Sequence, residues 1–502
     1  MKTNLIYLSA FFILPFVGFS QSISVTFSDA WQLTLLNNKG LKESESIVQM
    51  KNSEMKAKKS LYLPSVSLGA SYAMMSDDIH LDLTPVRDAI TPLYSALGHY
   101  GVFSGVPNPD PATNSVLPIL PQDISTGAVR TQLLDGLDKI ESAEWNKLIQ
   151  KKQFGVITAQ ISYPLYAGGK IHLANHAAKV EVDEALNEKE IKSSMLLGQL
   201  TERYYAKSLA IAAQQVRQEV FETMERHLYD AKRMKEEGMI ANAEYLHIQV
   251  FHAEADRELK KAIRNVKIVN QSLINTLDLP DSVDVITVSP LFYLNSIENL
   301  EVFLTQAHEN NLQLKKIEHK LDLVKTKIKS EKSDFLPTIA LMGTYDIANK
   351  DLSPYMPDYM VGVGMKWNLF EGFSRINKYK AAQFQEQQVN YIYDKGLTDI
   401  DLAVTNYYQQ ANMQLEQISE LDQALVFANE YVRVRNLAFN EGLATVSEVG
   451  NAALSLAKVK IERIQAIYQF QMALSNLYFY AGMSNQFLLL PDSQQVVSSK
   501  YE

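Results

Sequence analysis

The chain has 502 residues and none of them is cysteine, which excludes disulfide bonds, thiolate metal sites and a cysteine nucleophile. It also excludes lipid modification of an N-terminal cysteine. An excess of positive charge is missing as well, because 48 lysines and arginines face 57 aspartates and glutamates, a net charge of −9. An acidic chain is repelled by phosphate backbones, so we predict no nucleic acid partner.

Long apolar runs are missing beyond the first residues. The run from Leu5 to Phe19 is shorter than the ~18 residues that a membrane-spanning helix needs. A positively charged start precedes this run, and small residues stand at Gly18 and Ser20, three and one residues before Gln21, which is typical of a secretory signal peptide. We therefore predict a cleaved signal peptide over 1–20 and no transmembrane helix in the mature chain.

Motifs for catalysis and for cofactor binding are also missing. His172 and His176 have the spacing of a zinc-binding helix, but the glutamate that a zinc hydrolase needs after the first histidine is absent. The segment from Gly98 to Gly105 lacks a phosphate-loop lysine, and no serine lies in a nucleophile elbow. We predict that the protein is not an enzyme and holds no metal or cofactor.

The chain does contain an internal repeat, which appears at two fixed offsets. Pro64 and its neighbours reappear around Pro337, an offset of 337 − 64 = 273. From Tyr163 onward the offset is 367 − 163 = 204, and it also relates Gly238 to Gly442. A constant offset over more than a hundred residues indicates two copies of one structural unit.

The change of offset locates an insertion in the first copy. It amounts to 273 − 204 = 69 residues, and these lie between Tyr72 and Phe154. We therefore divide the chain into the signal peptide, a first repeat at 21–296 with an insertion at about 76–153, a second repeat at 297–483, and a tail at 484–502. The predicted β-strands described below connect to helical arms at one end and to the loops 76–153 and 348–358 at the other end. We therefore expect these two loops to face the cell exterior.

Two proline-free segments predict long helical arms. They run between Gly169 and Gly238 and between Gly372 and Gly442, about 68 residues each or roughly 100 Å at 1.5 Å per residue. Apolar residues in the second segment recur in ten steps over 432 − 397 = 35 residues, the 3.5-residue spacing of a coiled-coil seam. They are Leu397, Ile400, Val404, Tyr407, Ala411, Leu415, Ile418, Leu421, Leu425, Ala428 and Val432.

Shorter helices are expected around these arms. Return arms should cover 242–278 and 446–482, shorter arms 28–60 and 298–333, and a helix in the insertion about 127–152. Thr445 and Glu448 form a capping-box pattern at the start of the second return arm. In the first copy Ala241 replaces the threonine, so we expect Asn242 to cap one residue later.

Four segments alternate between apolar and small or polar residues, which predicts β-strands. Their apolar positions are Val66, Leu68, Ala70, Tyr72 and Met74; Ile157, Ala159, Ile161, Tyr163 and Leu165; Ile339, Leu341, Gly343, Tyr345 and Ile347; and Val361, Val363, Met365, Trp367 and Leu369. Such strands are typical of a membrane β-barrel with lipid outside and water inside. The alternative is a half-buried antiparallel sheet. Tyr163 and Trp367 favour the barrel, because aromatic residues form girdles at membrane interfaces.

Four strands cannot close a barrel, since single-chain bacterial barrels have about eight or more. An open edge is not stable in lipid, because unpaired backbone groups there cost several kcal/mol each. If the strands span a membrane, the chain must therefore form an oligomer that shares one barrel. The number of subunits is not determined by this argument.

The order and doubling of these motifs resemble the TolC-like outer-membrane efflux protein family over about 28–483. The resemblance rests on the paired Leu63-Pro64 and Leu336-Pro337 junctions, the Tyr166–Gly169 and Phe370–Gly372 strand exits, and the Glu237–Glu244 and Glu441–Glu448 tips. It implies a mainly α-helical chain with transmembrane β-strands. In the family, a homotrimer combines a 12-stranded barrel in the outer membrane with a long antiparallel coiled-coil tunnel in the periplasm.

The resemblance also implies partners and sites. The partners are a periplasmic adaptor (membrane fusion) protein, an inner-membrane pump and outer-membrane lipid. Adaptor docking is expected at the two tips, which comprise Gly238, Met239, Ile240, Ala241, Gly442, Leu443, Ala444 and Thr445. Gate candidates are Glu244, Glu448 and Asn451, although the family has a second aspartate where Asn451 stands and can have an arginine where Ala444 stands.

Two other functional classes stay open from the residues alone. A secreted coiled-coil adhesin or structural filament would explain the arms but not the amphipathic strands. A substrate-binding periplasmic module would need a closed apolar pocket, which narrow seams do not provide. The transported substrate and the class of pump are not determined, nor whether the insertion covers the pore or binds a surface partner.

Overall fold

The computed structural model describes residues 22–96, 98, 103–107, 116–118, 124–492 and 496–498, so the expected signal peptide lies outside the described residues. The chain divides into two compact units. Among the described residues, those within Met1–Lys58, His172–Lys332 and Gly372–Glu502 form a helical unit, and those within Lys59–Ile171 and Ser333–Glu371 form a sheet unit. No helix within the described ranges is both long enough and apolar enough to cross a membrane.

The described helices and strands, numbered along the chain, show a mainly helical protein with several small sheets. The helices are α1 (Phe27–Asn37), α2 (Lys39–Lys59), α3 (Thr84–Ser95), α4 (Ile124–Ser142), α5 (Lys170–Glu236), α6 (Asn242–Leu277), α7 (Leu300–Asn310), α8 (Leu312–Ser333), α9 (Ser374–Asn440), α10 (Val446–Tyr480) and α11 (Ser484–Phe487). The strands are β1 (Ser22–Val25), β2 (Ser65–Met74), β3 (Ile79–Asp82), β4 (Phe103–Pro107), β5 (Val116–Pro118), β6 (Asn146–Gln150), β7 (Gln153–Tyr166), β8 (Asp284–Thr287), β9 (Phe292–Leu294), β10 (Thr338–Lys350), β11 (Tyr359–Lys366) and β12 (Val496–Ser498).

The two long arms are present as expected. Helices α5 and α9 each have 67 residues, and α6 and α10 return from them with 36 and 35. The predicted seam of α9 faces the protein interior. Ile400, Val404, Ala411 and Ile418 are buried, and the other seam positions are half-buried. The 3.5-residue period therefore identified the packed face of this helix correctly.

The shorter arms differ from the expectation, because each is two helices rather than one. The first breaks at Asn38 and the second at Asn311, and 311 − 38 = 273 places both breaks at the same position of the repeat. At each break the asparagine side chain accepts a hydrogen bond from the next helix, from Leu41 N at 3.1 Å and from Gln313 N at 2.8 Å. Asparagine competes for backbone hydrogen bonds in this way and so ends one helix and caps the next.

The insertion also corrects one expectation. Helix α4 ends at Ser142, and residues 146–150 form β6 rather than the end of a helix. The turn between them is closed by the Trp145 indole, which donates a hydrogen bond to Ile140 O at 2.5 Å. Strand β6 then pairs antiparallel with β3. Pairing with a distant strand thus overrides the local helical pattern.

The apolar interior of the helical unit forms two clusters. The larger contains the aromatic side chains Phe27, Tyr204, Tyr205, Phe292, Phe303 and Phe470. The Tyr204 hydroxyl joins two chain segments there, donating to Val25 O at 2.8 Å and accepting from Ser289 N at 2.9 Å. The smaller cluster packs α5, α6 and α10 near their hairpin ends, around Met224, Ile248 and Val446. This second cluster supports the tips described below.

Candidate functional site

Strands β11, β10, β7 and β2 form one antiparallel sheet in that order, as the alternation of all four segments suggests. The register aligns most of the predicted apolar positions across the sheet, whereas Leu165 and Ile347 are left without a partner at the two irregularities between β7 and β10. Val66 pairs with Ile161, Ile161 with Gly343, and Gly343 with Val361. All four segments therefore contribute to one continuous apolar face.

Most large side chains of this apolar face are exposed, whereas Ile339 and Leu341 on the central strand β10 are half-buried. Leu68 is 72% exposed and Val363 is 64% exposed, and the opposite face carries small and polar residues such as Ser67 and Gln160. In the half-buried sheet that the sequence left as an alternative, these side chains would be covered by a core. Exposure of a contiguous apolar surface in this way marks an interaction surface for another protein or for a membrane.

Both edges of the sheet are open within the described residues. Strand β2 pairs only with β7, and β11 pairs only with β10. Because each neighbouring pair is antiparallel, β2 and β11 also run antiparallel to one another. A row of unpaired backbone groups on each edge is a template for pairing with another chain.

The two aromatic residues expected at the membrane boundary lie near one end of this sheet. Tyr163 pairs with Leu341, and its side chain is partly exposed. Trp367 directly follows β11, is exposed, and its indole donates a hydrogen bond to Phe335 O at 3.1 Å. An exposed aromatic ring whose N–H group is hydrogen-bonded is suited to the boundary between an apolar phase and water.

The two helical hairpin tips have the same backbone structure. Gly238 and Gly442 have φ angles of 76° and 71°, the left-handed region that glycine adopts without strain. In each tip a hydrogen bond runs back five residues, from Met239 N to Met234 O and from Leu443 N to Ala438 O, both at 2.7 Å. This is the Schellman motif, which ends a helix by satisfying its last carbonyl groups.

The tips present one large apolar side chain each. Met239 is 64% exposed and Leu443 is 81% exposed. Ile240 and Ala444 are half-buried, whereas the neighbouring small residues Ala241 and Thr445 are exposed.

The caps beyond the tips differ between the two copies. Thr445 and Glu448 form the predicted capping box, with Glu448 N donating to the threonine hydroxyl at 3.2 Å and Thr445 N donating to the carboxylate at 2.9 Å. The hydrogen bond from Thr445 N holds the pKa of Glu448 below its usual range, and Arg435 contributes to the same effect. Glu448 thus serves as a helix cap.

In the first copy the expected cap is wrong. Helix α6 begins at Asn242, and the residue before it, Ala241, has no side chain that could accept a hydrogen bond. Glu244 is equivalent to Glu448, but one of its carboxylate oxygens is buried without a hydrogen-bond partner in the described part of the chain. Asn451, the third gate candidate, is exposed. The three gate candidates therefore have three different environments.

Sequence reasoning missed two features near the tips. Arg435 forms an ion pair with Glu448, with 3.4 Å between Nη1 and Oε1. Arg435 lies seven residues before Gly442, and Glu448 lies six residues after it. This nearly symmetric placement about the turn could have indicated the ion pair from the sequence. His227 is the second feature. Its Nε2 atom is buried without a hydrogen-bond partner among the described residues, and burial lowers the pKa of its imidazole.

The histidine pair with zinc-like spacing is not brought together as a metal site. His176 Nε2 lies 3.2 Å from both carboxylate oxygens of Asp322, which gives this histidine a partner on α8. Over the residues that the structure describes, no group of three or more His, Cys, Asp or Glu side chains is arranged to hold a metal ion.

Comparison with known proteins connects this architecture to one family. Residues 303–483 match the family model described as "Outer membrane efflux protein". The chain is 22% identical over 194 residues to outer membrane protein TolC of Vibrio cholerae, covering 36% of this chain and 44% of that protein. It is 21% identical over 285 residues to the alkaline protease secretion protein AprF of Pseudomonas aeruginosa, covering 55% of this chain and 58% of that protein. The matched segments thus span about half the length of these relatives.

The fold is also found among solved structures. The outer membrane protein VceC of Vibrio cholerae superimposes with a TM-score of 0.66 at 12% sequence identity, and the match covers 91% of this chain and 96% of that one. At this identity the likeness concerns the fold alone.

Proposed function

We propose that the chain forms the exit duct of an export system. Residues 303–483 match the outer membrane efflux protein family, which confirms the TolC-like resemblance and supports the expected outer-membrane location. The observation that carries this proposal is the exposed apolar face of the four-stranded sheet in a chain whose other unit has two 67-residue helices. A coiled-coil adhesin or filament has no use for such a face.

The sheet would become a membrane barrel by association of identical chains. Head-to-tail pairing of β11 with β2 of the next copy joins two antiparallel edges, so every copy adds four strands without breaking the pattern. Two copies would supply 2 × 4 = 8 strands and three copies 3 × 4 = 12. The family resemblance favours the homotrimer, with each apolar face toward outer-membrane lipid and each polar face toward a water-filled lumen.

The helical unit would then form the periplasmic part of the duct, with its hairpin tips toward the inner membrane. We propose that Met239 and Leu443 contact a periplasmic adaptor that couples the duct to an inner-membrane pump, together with Gly238, Ile240, Ala241, Gly442, Ala444 and Thr445. The exposure of both large side chains supports this role, because an apolar side chain at a small-residue tip can insert into a partner's groove. The cargo is either small molecules or exported proteins.

We propose that Glu244, Glu448 and Asn451 line the narrow end of the duct. In a trimer each carboxylate would be present three times, and such rings attract cations. The measurement is single-channel conductance of Glu448→Gln with and without divalent cations, with Glu441→Gln as an exposed control at the same tip. Unchanged conductance and cation block would leave Glu448 as a helix cap only.

The chain organisation follows from the same proposal. A signal peptide at 1–20 would direct export, the repeats at 21–296 and 297–483 would each provide two strands and their arms, and 484–502 would form the tail. No catalytic residue, metal or cofactor is assigned. Sequencing of the mature N-terminus tests the cleavage site.

The proposed function is tested by measuring the mass of the assembly and its conduction of ions. Native mass spectrometry of the detergent-purified protein should give three copies, and the same material should conduct ions across a planar lipid bilayer. A stable monomer that leaves the bilayer sealed would contradict the exit duct. The adhesin alternative predicts extraction from cells without detergent.

A further inference from the structure

The loop-bearing end of the apolar sheet face contains a groove over β2, β7 and β10. Its volume is about 430 Å³, within the range of small-ligand sites. Gly155 of β7 leaves its floor without a side chain, between Tyr72 of β2 and Lys350 of β10. Ala70, Ile157 and Ala348 continue the floor as an apolar surface.

A β-bulge places the lysine on this face. Up to Asp346 the odd-numbered residues of β10 belong to the apolar face, and Asp346 pairs with Thr158 on the polar face. The register then shifts, so that Ala348 rather than Ile347 pairs with Ile157. Lys350 consequently pairs with Gly155 on the apolar side. An added residue in one strand exchanges the faces of all that follow it.

The groove is bounded by chemically different walls. The Tyr72 ring lies across Gly155, where a Cβ would meet its Cδ2 at 3.5 Å, and the Tyr72 hydroxyl donates to Gln153 Oε1 at 3.2 Å. The opposite rim is basic. Lys151 forms a 2.6 Å ion pair with Asp351, and this hydrogen bond, with the Lys350 charge, lowers the pKa of Asp351.

The charges at this rim come from lysines and aspartates, and Lys350 is the lysine that lines the groove. Lys151, Lys152 and Lys350 stand beside Asp351 and Asp78, whose carboxylate accepts from Lys152 N at 2.6 Å. Lys152 and Lys350 are exposed. A lysine that follows an apolar surface to its end brings its ammonium group to the level of lipid headgroups.

We propose that this groove binds an acyl chain of an anionic phospholipid-type molecule and that Lys350 contacts its phosphate. The inference rests on the proposed function only in that it requires the apolar face to meet lipid. We infer this ligand because the groove combines an apolar floor with a lysine at its rim. A soluble anion would contact only the lysine, and an uncharged acyl chain would contact only the floor. A lysine near an anionic lipid surface contributes about 1 kcal/mol, roughly fivefold in affinity.

Lipid binding is measured by native mass spectrometry of the detergent-purified protein titrated with phosphatidylglycerol or with zwitterionic phosphatidylcholine. We expect preference for phosphatidylglycerol, a loss of about fivefold in its affinity in Lys350→Gln, and retention in Lys350→Arg. Gly155→Val should weaken binding of both lipids, because the new side chain occupies the floor while its Cβ meets Tyr72 at an ordinary contact distance. Lys366→Gln, at the other end of the sheet, is the control.

Three results would overturn the inference. They are equal affinity for the two lipids, equal loss in Lys350→Gln and Lys366→Gln, and complete displacement of phosphatidylglycerol by inorganic phosphate, which would indicate a headgroup-only site. The measurement is made in detergent and does not depend on conduction. A protein that conducts but shows no lipid preference contradicts this inference alone, whereas a monomer that does not conduct contradicts the proposed function.

Discussion

At the scale of single residues, two glycines with the same left-handed backbone have different surroundings. Gly482 and Gly442 have φ angles of 72° and 71°. A Cβ on Gly482 would lie 2.5 Å from the carbonyl carbon of Asn310, whereas one on Gly442 would meet nothing within 4 Å. The two positions therefore separate backbone strain from steric conflict.

We predict that Gly482→Ala destabilises the protein more than Gly442→Ala does. Both variants carry the left-handed penalty of about 1–2 kcal/mol, and only the first must also displace the Asn310 backbone. Thermal unfolding followed by circular dichroism at one scan rate gives the two shifts in midpoint. Equal shifts would show that the helical unit absorbs the clash without cost.

The unequal caps of the two tips lead to a second prediction. Ala241→Thr should create in the first copy the box that Thr445 and Glu448 form in the second, with the new hydroxyl accepting from Glu244 N and the existing N–H of residue 241 donating to the Glu244 carboxylate. A threonine cap contributes about 1 kcal/mol, so hydrogen exchange of the first turn of α6 should slow about fivefold. Thr445→Ala is the matched control and should speed exchange in α10. No change in α6 would mean that the turn at Ala241 cannot adopt box geometry.

The second box also has a predicted pH dependence. The folded pKa of Glu448 is lowered, so its stabilisation is complete above the unfolded glutamate value, roughly 4.3, and is lost as the pH falls through the lower folded value. The protection factors in the first turn of α10, which are corrected for the pH dependence of intrinsic exchange, should therefore stay constant down to about pH 4 and fall below it. In Glu448→Gln this acidic step should vanish, and its persistence would assign the step to another group.

At the scale of elements, the two faces of strand β2 should respond oppositely to charge. Leu68 and Ser67 are neighbours on opposite faces, and both are exposed. We predict that Leu68→Lys reduces membrane insertion, because a lysine on the lipid side of a barrel costs about 2–4 kcal/mol near the bilayer centre. Ser67→Lys should insert normally. Folding into vesicles, followed by protease resistance, measures both, and equal insertion would contradict the assignment of lipid-facing and lumen-facing sides.

At the scale of the whole molecule, the absence of cysteine allows a test of orientation with single introduced thiols. Tyr355 lies in the loop between β10 and β11, and Leu443 lies at a hairpin tip; both are exposed. A membrane-impermeant maleimide added to intact cells should label Tyr355→Cys and not Leu443→Cys. Osmotic shock should make both reactive. Labelling of the tip in intact cells would reverse the proposed orientation.

The sequence by itself determined the features that depend on local period. The 3.5-residue spacing identified the buried side of α9, alternation identified four strands, and constant offsets identified the repeat. The capping box at Thr445 was equally visible, because all of its groups lie within four residues. These signals are short in range, and each copy of the repeat supports the interpretation of the other.

Only the tertiary structure decided the features that depend on distant partners. Residues 146–150 are a strand because β3 pairs with them, and Lys350 lies on the apolar face because the bulge at Ile347 shifts its pairing with β7. The ion pair of Arg435 with Glu448 likewise requires two helices to meet. Pairing register and contacts between helices depend on two segments together. The hydrophobic period of one segment therefore cannot predict them.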